Sequence, residues 1–147
     1  MRYGFTLIEL IVVIIIVGIL AAIGMTQYST IVEKSRLAEA KIRIGTMRQL
    51  AYEYYLVNGT STGIDLPSVG ADNTCAATGF YKYTVWETSG WVGLEAVRCT
   101  SGGKTPNASS VYYFWLKFQP STGKSGWCCV GADLSTPCFG YPGDYSG

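Results

Sequence analysis

Phe5-Thr6-Leu7-Ile8-Glu9-Leu10-Ile11-Val12-Val13-Ile14-Ile15-Ile16-Val17-Gly18-Ile19-Leu20 opens an apolar run that continues to Val32. From Leu10 to Val32 there is no Asp, Glu, Lys or Arg, a stretch of 23 residues. As a helix rising about 1.5 Å per residue it reaches roughly 34 Å, enough to cross a bilayer. Glu9 is the single charge inside this run. An ionised carboxylate in an apolar segment is retained only where something compensates it, so Glu9 is the first functional-site candidate and its partner has to be found.

Past Val32 the pattern changes period without a break. Leu37, Ala40, Ile44, Met47, Ala51 and Tyr54 recur at spacings of three and four, while Glu33, Lys34, Arg36, Glu39, Lys41, Arg43, Arg48 and Glu53 fill much of the rest. That is an amphipathic helix continuing an apolar one. Glu39 and Arg43 stand at i,i+4, the spacing of a helical ion pair. Asn58-Gly59 offers a left-handed C-cap, so one helix is expected from about residue 5 to 57, roughly 80 Å in length. A small domain cannot bury such a helix, and half of it must find its surroundings in lipid or in other copies of the chain.

The apolar stripe of the second half needs a sheet to pack on, and the sequence offers candidates. Phe80 to Trp86, Trp91 to Cys99 and Ser110 to Phe118 are rich in aromatic and β-branched residues, and Trp127 to Val130 is a shorter fourth run. Thr88-Ser89-Gly90 and Ser101-Gly102-Gly103 read as turns between them. The expected fold class is α+β: one long N-terminal helix whose second half packs on an antiparallel sheet of about four strands. The segments 58–79 and 131–147 read as loops from their Gly and Pro content.

Composition narrows the function. Of 147 residues 48% are apolar and 14% charged, and 11 Lys plus Arg against 10 Asp plus Glu leave a formal charge of +1. No basic footprint for nucleic acid is readable. Histidine is absent, which removes imidazole general-base catalysis and the commonest metal ligand. The five cysteines, Cys75, Cys99, Cys128, Cys129 and Cys138, all lie in the second half, which points to a region matured in an oxidising compartment. The simplest account is two disulfides and one thiol: Cys75 with Cys99, and Cys138 with Cys129 or, as the alternative, Cys128. Such bridges would pin the C-terminal loop to the sheet. No zinc-type spacing is present, no cofactor is implied, and Gly102-Gly103-Lys104-Thr105 lacks the first glycine of a P-loop. With no nucleophile and base in a recognisable arrangement, the chain does not read as an enzyme.

Gly4-Phe5-Thr6-Leu7-Ile8-Glu9-Leu10-Ile11-Val12-Val13, continuing through Gly18-Ile19-Leu20-Ala21-Ala22, resembles the N-terminal signal of type IV pilins and of the pseudopilins of type II secretion. A short basic leader, Gly before Phe, a Glu five residues into the mature chain and an uninterrupted apolar helix coincide here. The long helix followed by a cysteine-bearing sheet is also similar to the family's lollipop architecture. An ordinary signal peptide fits less well, because a helical pattern continues directly past Ala21-Ala22.

The resemblance implies a division into a leader, residues 1–4, removed on maturation; a transmembrane and filament-core helix, 5–32; and a globular head, 33–147. It implies cleavage between Gly4 and Phe5 by a prepilin peptidase that also methylates the new amine of Phe5. Glu9 then pairs with the Phe5 amine of a neighbouring subunit as the chain polymerises with copies of itself, helped by pilus or secretion assembly machinery. The precursor is expected in the bacterial inner membrane and the product in a cell-surface filament for adhesion, motility, DNA uptake or surface contact. In the pseudopilin alternative, the filament is short, periplasmic and drives protein secretion. Many family members carry a helix-kinking proline where Thr26 stands; without it, Gly18 and Gly24 are the candidates for helix flexibility.

The remaining features have ordinary readings beside the functional ones. Thr6 is a candidate cap for the helix start or a helix residue without special role. Glu9 could also sit at the membrane edge and reach water or its own amine. Phe5, Tyr28, Tyr52, Tyr54 and Tyr55 fall on the expected helix, and with Tyr54 on the apolar stripe they read as packing residues before they read as an aromatic conduit. Asp133 and Asp144, with Ser135, form a thin candidate for a calcium loop, so no metal site is assigned.

Overall fold

The computed structural model describes Gly4 and residues 6–144, the side chain of Thr26 excepted. Helix α1 runs without interruption from Leu7 to Asn58. Thr6 precedes it as the N-cap, its carbonyl accepting the first helical bond from the Leu10 amide. At the far end Gly59 takes φ +71°, and its N–H donates to the Tyr55 carbonyl, the left-handed stop that Asn58-Gly59 promised.

The chain divides into two compact parts at Leu37 and Ala38. In the first, the apolar helix surface is exposed all round: Leu7, Met25 and Ile31 are 75%, 77% and 63% exposed. An all-apolar helix in this state is complete only in lipid or against other helices. Glu33 and Arg36 form an i,i+3 ion pair at its end.

Of the predicted stripe of α1, Ala40, Ile44, Met47 and Ala51 are completely buried in the second part and Leu37, at the end of the first, is buried; Tyr54 is only half-buried, its hydroxyl donating to the Thr62 carbonyl at 3.2 Å. The sheet contains β1 (Tyr81–Thr88), β2 (Trp91–Arg98), β3 (Tyr113–Phe118) and β4 (Ser125–Val130), all antiparallel in the order β1-β2-β3-β4. Along β3 burial alternates: Phe114, Leu116 and Phe118 are buried while Tyr113, Trp115 and Lys117 are half-exposed. The guanidinium of Arg48 lies over the Phe118 ring and the Lys41 amine over Trp127, which puts the face with Phe118 and Trp127 toward α1. Glu39 and Arg43 do not pair with each other. Glu39 accepts from the Phe80 amide at 3.3 Å and Arg43 donates to the Gly70 carbonyl at 2.5 Å, so tertiary main-chain contacts win over the helical pair.

Ser89 and Gly90 close the β1–β2 hairpin with φ +51° and +78°, the double left-handed geometry of a tight two-residue turn, with Thr88 opposite Trp91. The next connection differs from the expected short turn: residues 99–112 form a long loop, and β3 starts at Tyr113 rather than at Ser110. Buried Arg98 organises this loop. Its Nη1 donates to the carbonyls of Phe80 and Cys99 at 3.0 and 3.2 Å, and its Nη2 to that of Pro106 at 3.0 Å. The rings of Phe80 and Tyr81 flank the guanidinium. On the other sheet face, Trp86 lies across Gly93, where an added Cβ would fall 1.9 Å from the indole.

Disulfides join Cys75 to Cys99 and Cys129 to Cys138. The first ties the loop after the short helix at Pro67–Val69 to the end of β2; the second holds the C-terminal segment along β4, where the Cys129 amide also donates to the Pro142 carbonyl. Cys128 stays outside both bridges and is buried.

Candidate assembly site at the helix start

Thr6-Leu7-Ile8-Glu9 has the spacing of a capping box, and the structure builds one. The Thr6 amide donates to Glu9 Oε2 at 2.8 Å, and the Thr6 hydroxyl donates to the same oxygen at 2.8 Å. In return the Glu9 amide donates to Thr6 Oγ1 at 3.3 Å. Two main-chain donors that a helix start leaves without partners are thereby satisfied.

The arrangement answers part of the question Glu9 poses. One carboxylate oxygen, Oε2, is engaged by its own chain; Oε1 has no hydrogen-bond partner among the described residues. The side chain is exposed and borders a shallow groove with Ile8, Val12 and Val13. Among the described residues Glu9 thus presents a carboxylate engaged through one oxygen on a largely apolar helix surface. Such a group in lipid or a subunit core draws a cation, because pairing removes two uncompensated charges together. Gly4 is exposed, while Phe5, the other half of the expected pair, lies outside the described residues.

Gly18 and Gly24 lie within the continuous α1, and a Cβ added at either would meet nothing within 4 Å. Neither glycine is needed for packing in the isolated chain. The candidate calcium residues are occupied otherwise. Asp133 Oδ1 accepts from the amides of Ser135 and Thr136 at 3.2 and 3.0 Å and its Oδ2 from the Thr136 hydroxyl at 2.5 Å, which holds this carboxyl well below the usual range. Asp144 pairs with Lys117 at 3.3 Å. No cluster of three potential metal ligands occurs among the described residues.

Sequence reasoning missed Arg98, whose burial has no signature in a single arginine at a strand end. The Thr6–Glu9 reciprocity did have one, the T-x-x-E pattern directly before an apolar run.

Comparison with known proteins starts at this same segment. Residues 1–25 match the prokaryotic N-terminal methylation motif. A probable minor fimbrial protein of Dichelobacter nodosus is 43% identical over 60 residues, covering 41% of this chain and 37% of that protein. The type IV major pilin protein PilE of Neisseria gonorrhoeae is 31% identical over 129 residues, covering 88% of this chain and 74% of PilE. The chain belongs to the type IV pilin family. The fimbrial protein EcpC of Eikenella corrodens, 34% identical over 86% of this chain and 80% of its own length, extends the likeness through the sheet. The matched motif takes in Glu9 and the apolar helix as far as Met25, and the longer alignments extend well into the head. The chain spans little more than a third of the Dichelobacter protein.

Proposed function

We propose that this chain is a non-enzymatic structural subunit that polymerises into a type IV pilus, a cell-surface filament serving adhesion, motility, DNA uptake or surface contact. Before assembly, the helix over 5–32 is held in the bacterial inner membrane. A prepilin peptidase cuts between Gly4 and Phe5 and methylates the Phe5 amine. Glu9 then pairs with that amine on a neighbouring subunit, and because a subunit docked at the wrong height leaves both charges bare, the pair sets axial register.

The observation that carries this reading is the exposed apolar surface from Leu7 to Ile31 with Glu9 as its one carboxylate, Oε1 without a hydrogen-bond partner among the described residues. The relatives' names, fimbrial protein and major pilin, favour a pilus over a periplasmic pseudopilus. The test is to shear surface filaments from cells and identify their subunit by intact mass. The expected species begins at an N-methylated Phe5 and carries two disulfides. Absence of the chain from sheared filaments, with presence in a secretion complex, would overturn the pilus reading.

A further inference from the structure

Between the second half of α1 and the β3–β4 hairpin lies a cleft of about 690 Å³ whose polar lining comes from Arg48, Gln49, Tyr52, Gln119, Ser121 and Thr122. None of the residues around it is acidic. We propose that this cleft binds an acidic saccharide, a pyranose ring carrying a carboxylate, through Arg48.

Arg48 provides the charge. Its guanidinium carbon lies 5.7 Å from the centroid of the Phe118 ring, and it meets no carboxylate among the described residues. Stacking on a ring occupies one face of the guanidinium and leaves its edge of N–H donors for the fork that matches a carboxylate. With no acid in the lining, an anion entering the cleft meets a cation that no described carboxylate neutralises.

The hairpin is braced before any ligand arrives. Gln119 Oε1 accepts from the Thr122 hydroxyl at 2.7 Å, the Gln119 amide donates to the Lys124 carbonyl at 2.9 Å, and Gly123 N–H returns to the Gln119 carbonyl at 2.9 Å. Gln49 and Ser121 carry amide and hydroxyl groups with no side-chain bond among the described residues, the donor and acceptor mixture that sugar hydroxyls require. The Tyr52 ring is oriented by stacking on Tyr55, centroids 6.3 Å apart, and supplies an aromatic wall. The volume falls within the range of small-ligand sites, about 300 to 1,000 Å³.

Gly45 gives an independent pointer. Glycine in a helix interior is unfavourable by about 1 kcal/mol relative to alanine, yet a Cβ at Gly45 would meet nothing within 4 Å. No packing contact calls for glycine there; its missing side chain keeps the wall of the cleft clear.

The inference does not depend on filament formation and is tested on the full chain in detergent micelles by isothermal titration with glucuronate, glucose and acetate. Glucuronate should bind saturably, with glucose and acetate each at least about tenfold weaker. Arg48→Gln should lower glucuronate affinity at least about tenfold. Gly45→Leu, which fills the cleft and leaves the charge and the packing untouched, should do the same while keeping the parent's near-UV circular dichroism. No saturable binding, acetate binding as well as glucuronate, or parent-like glucuronate affinity in a folded Gly45→Leu chain would each overturn the assignment.

Discussion

Replacing Arg98 by methionine tests the account of the head most sharply. Arg98 is 1% exposed, and its guanidinium gives three hydrogen bonds to main-chain carbonyls at 3.0, 3.2 and 3.0 Å, two of them reaching away from its own strand end to Phe80 and Pro106. Methionine retains much of the apolar stem volume against Phe80 and Tyr81 but removes all three bonds: the Phe80 and Cys99 carbonyls keep the amides of Cys99 and Ala108 as donors, while that of Pro106 loses its bond from Arg98. Hydrogen bonds from a charged donor contribute about 1.5 to 3 kcal/mol each, and removing one member of a buried charged network costs about 3 to 5 kcal/mol in total. At about 2 to 4 °C per kcal/mol for a chain of this size, the melting temperature should fall by roughly 6 to 20 °C. Arg98→Lys, a point charge that cannot span all three carbonyls, should fall between the two. The assay is thermal unfolding of the full chain in detergent with disulfides intact, followed by near-UV circular dichroism, with limited proteolysis of the 99–112 loop beside it. A methionine variant within about 1 kcal/mol of the parent, with unchanged loop cleavage, would refute the role given to Arg98.

Gly93→Ala should destabilise the head by about 1 to 3 kcal/mol by overpacking, because its Cβ would fall 1.9 Å from Trp86; tryptophan fluorescence should report the displaced indole. Removing the Cys75–Cys99 bridge by a double serine substitution should cost about 3 kcal/mol in denaturant titrations, since it closes a loop of 24 positions. Burial raises the Glu95 carboxyl above its ordinary range, with Lys82 offsetting part of the effect. A raised acid favours the fold when protonated, so that contribution is present below the ordinary glutamate pKa and is lost as pH rises through the folded value. Glu95→Gln should therefore raise the melting temperature at neutral pH, with a gain that shrinks toward acid; an equal gain at every pH would contradict this origin.

The parts of the fold legible in the sequence are those with a strong period or a local rule. The stripe Ala40, Ile44, Met47 and Ala51 was visible as a helical spacing and is completely buried, and the Ser89-Gly90 and Asn58-Gly59 stops follow from the left-handed backbone that glycine permits. The long loop of 99–112 was not visible. Its Gly-Gly pair reads as a turn, and what holds the longer path is a tertiary network around Arg98 and Cys99. Sequence does not separate Cys129 from Cys128 as the partner of Cys138, because adjacent cysteines on a strand look alike; they point to opposite faces, and the C-terminal segment runs past the side of Cys129. At the helix start the unusual charge was evident from sequence. Its local cap, which engages Oε2 through the amide and hydroxyl of Thr6, required coordinates.

The central claim is that Glu9 serves an interaction between subunits beyond its cap on Thr6. The most direct measurement is the yield of sheared surface filaments from cells expressing only the Glu9→Leu chain, with membrane-fraction abundance and the mass of the processed N-terminus taken from the same cells. The account predicts a chain that inserts, is cut after Gly4 and accumulates in the membrane, with filaments lost or severely reduced. Parent-like filament yield from that chain would contradict it.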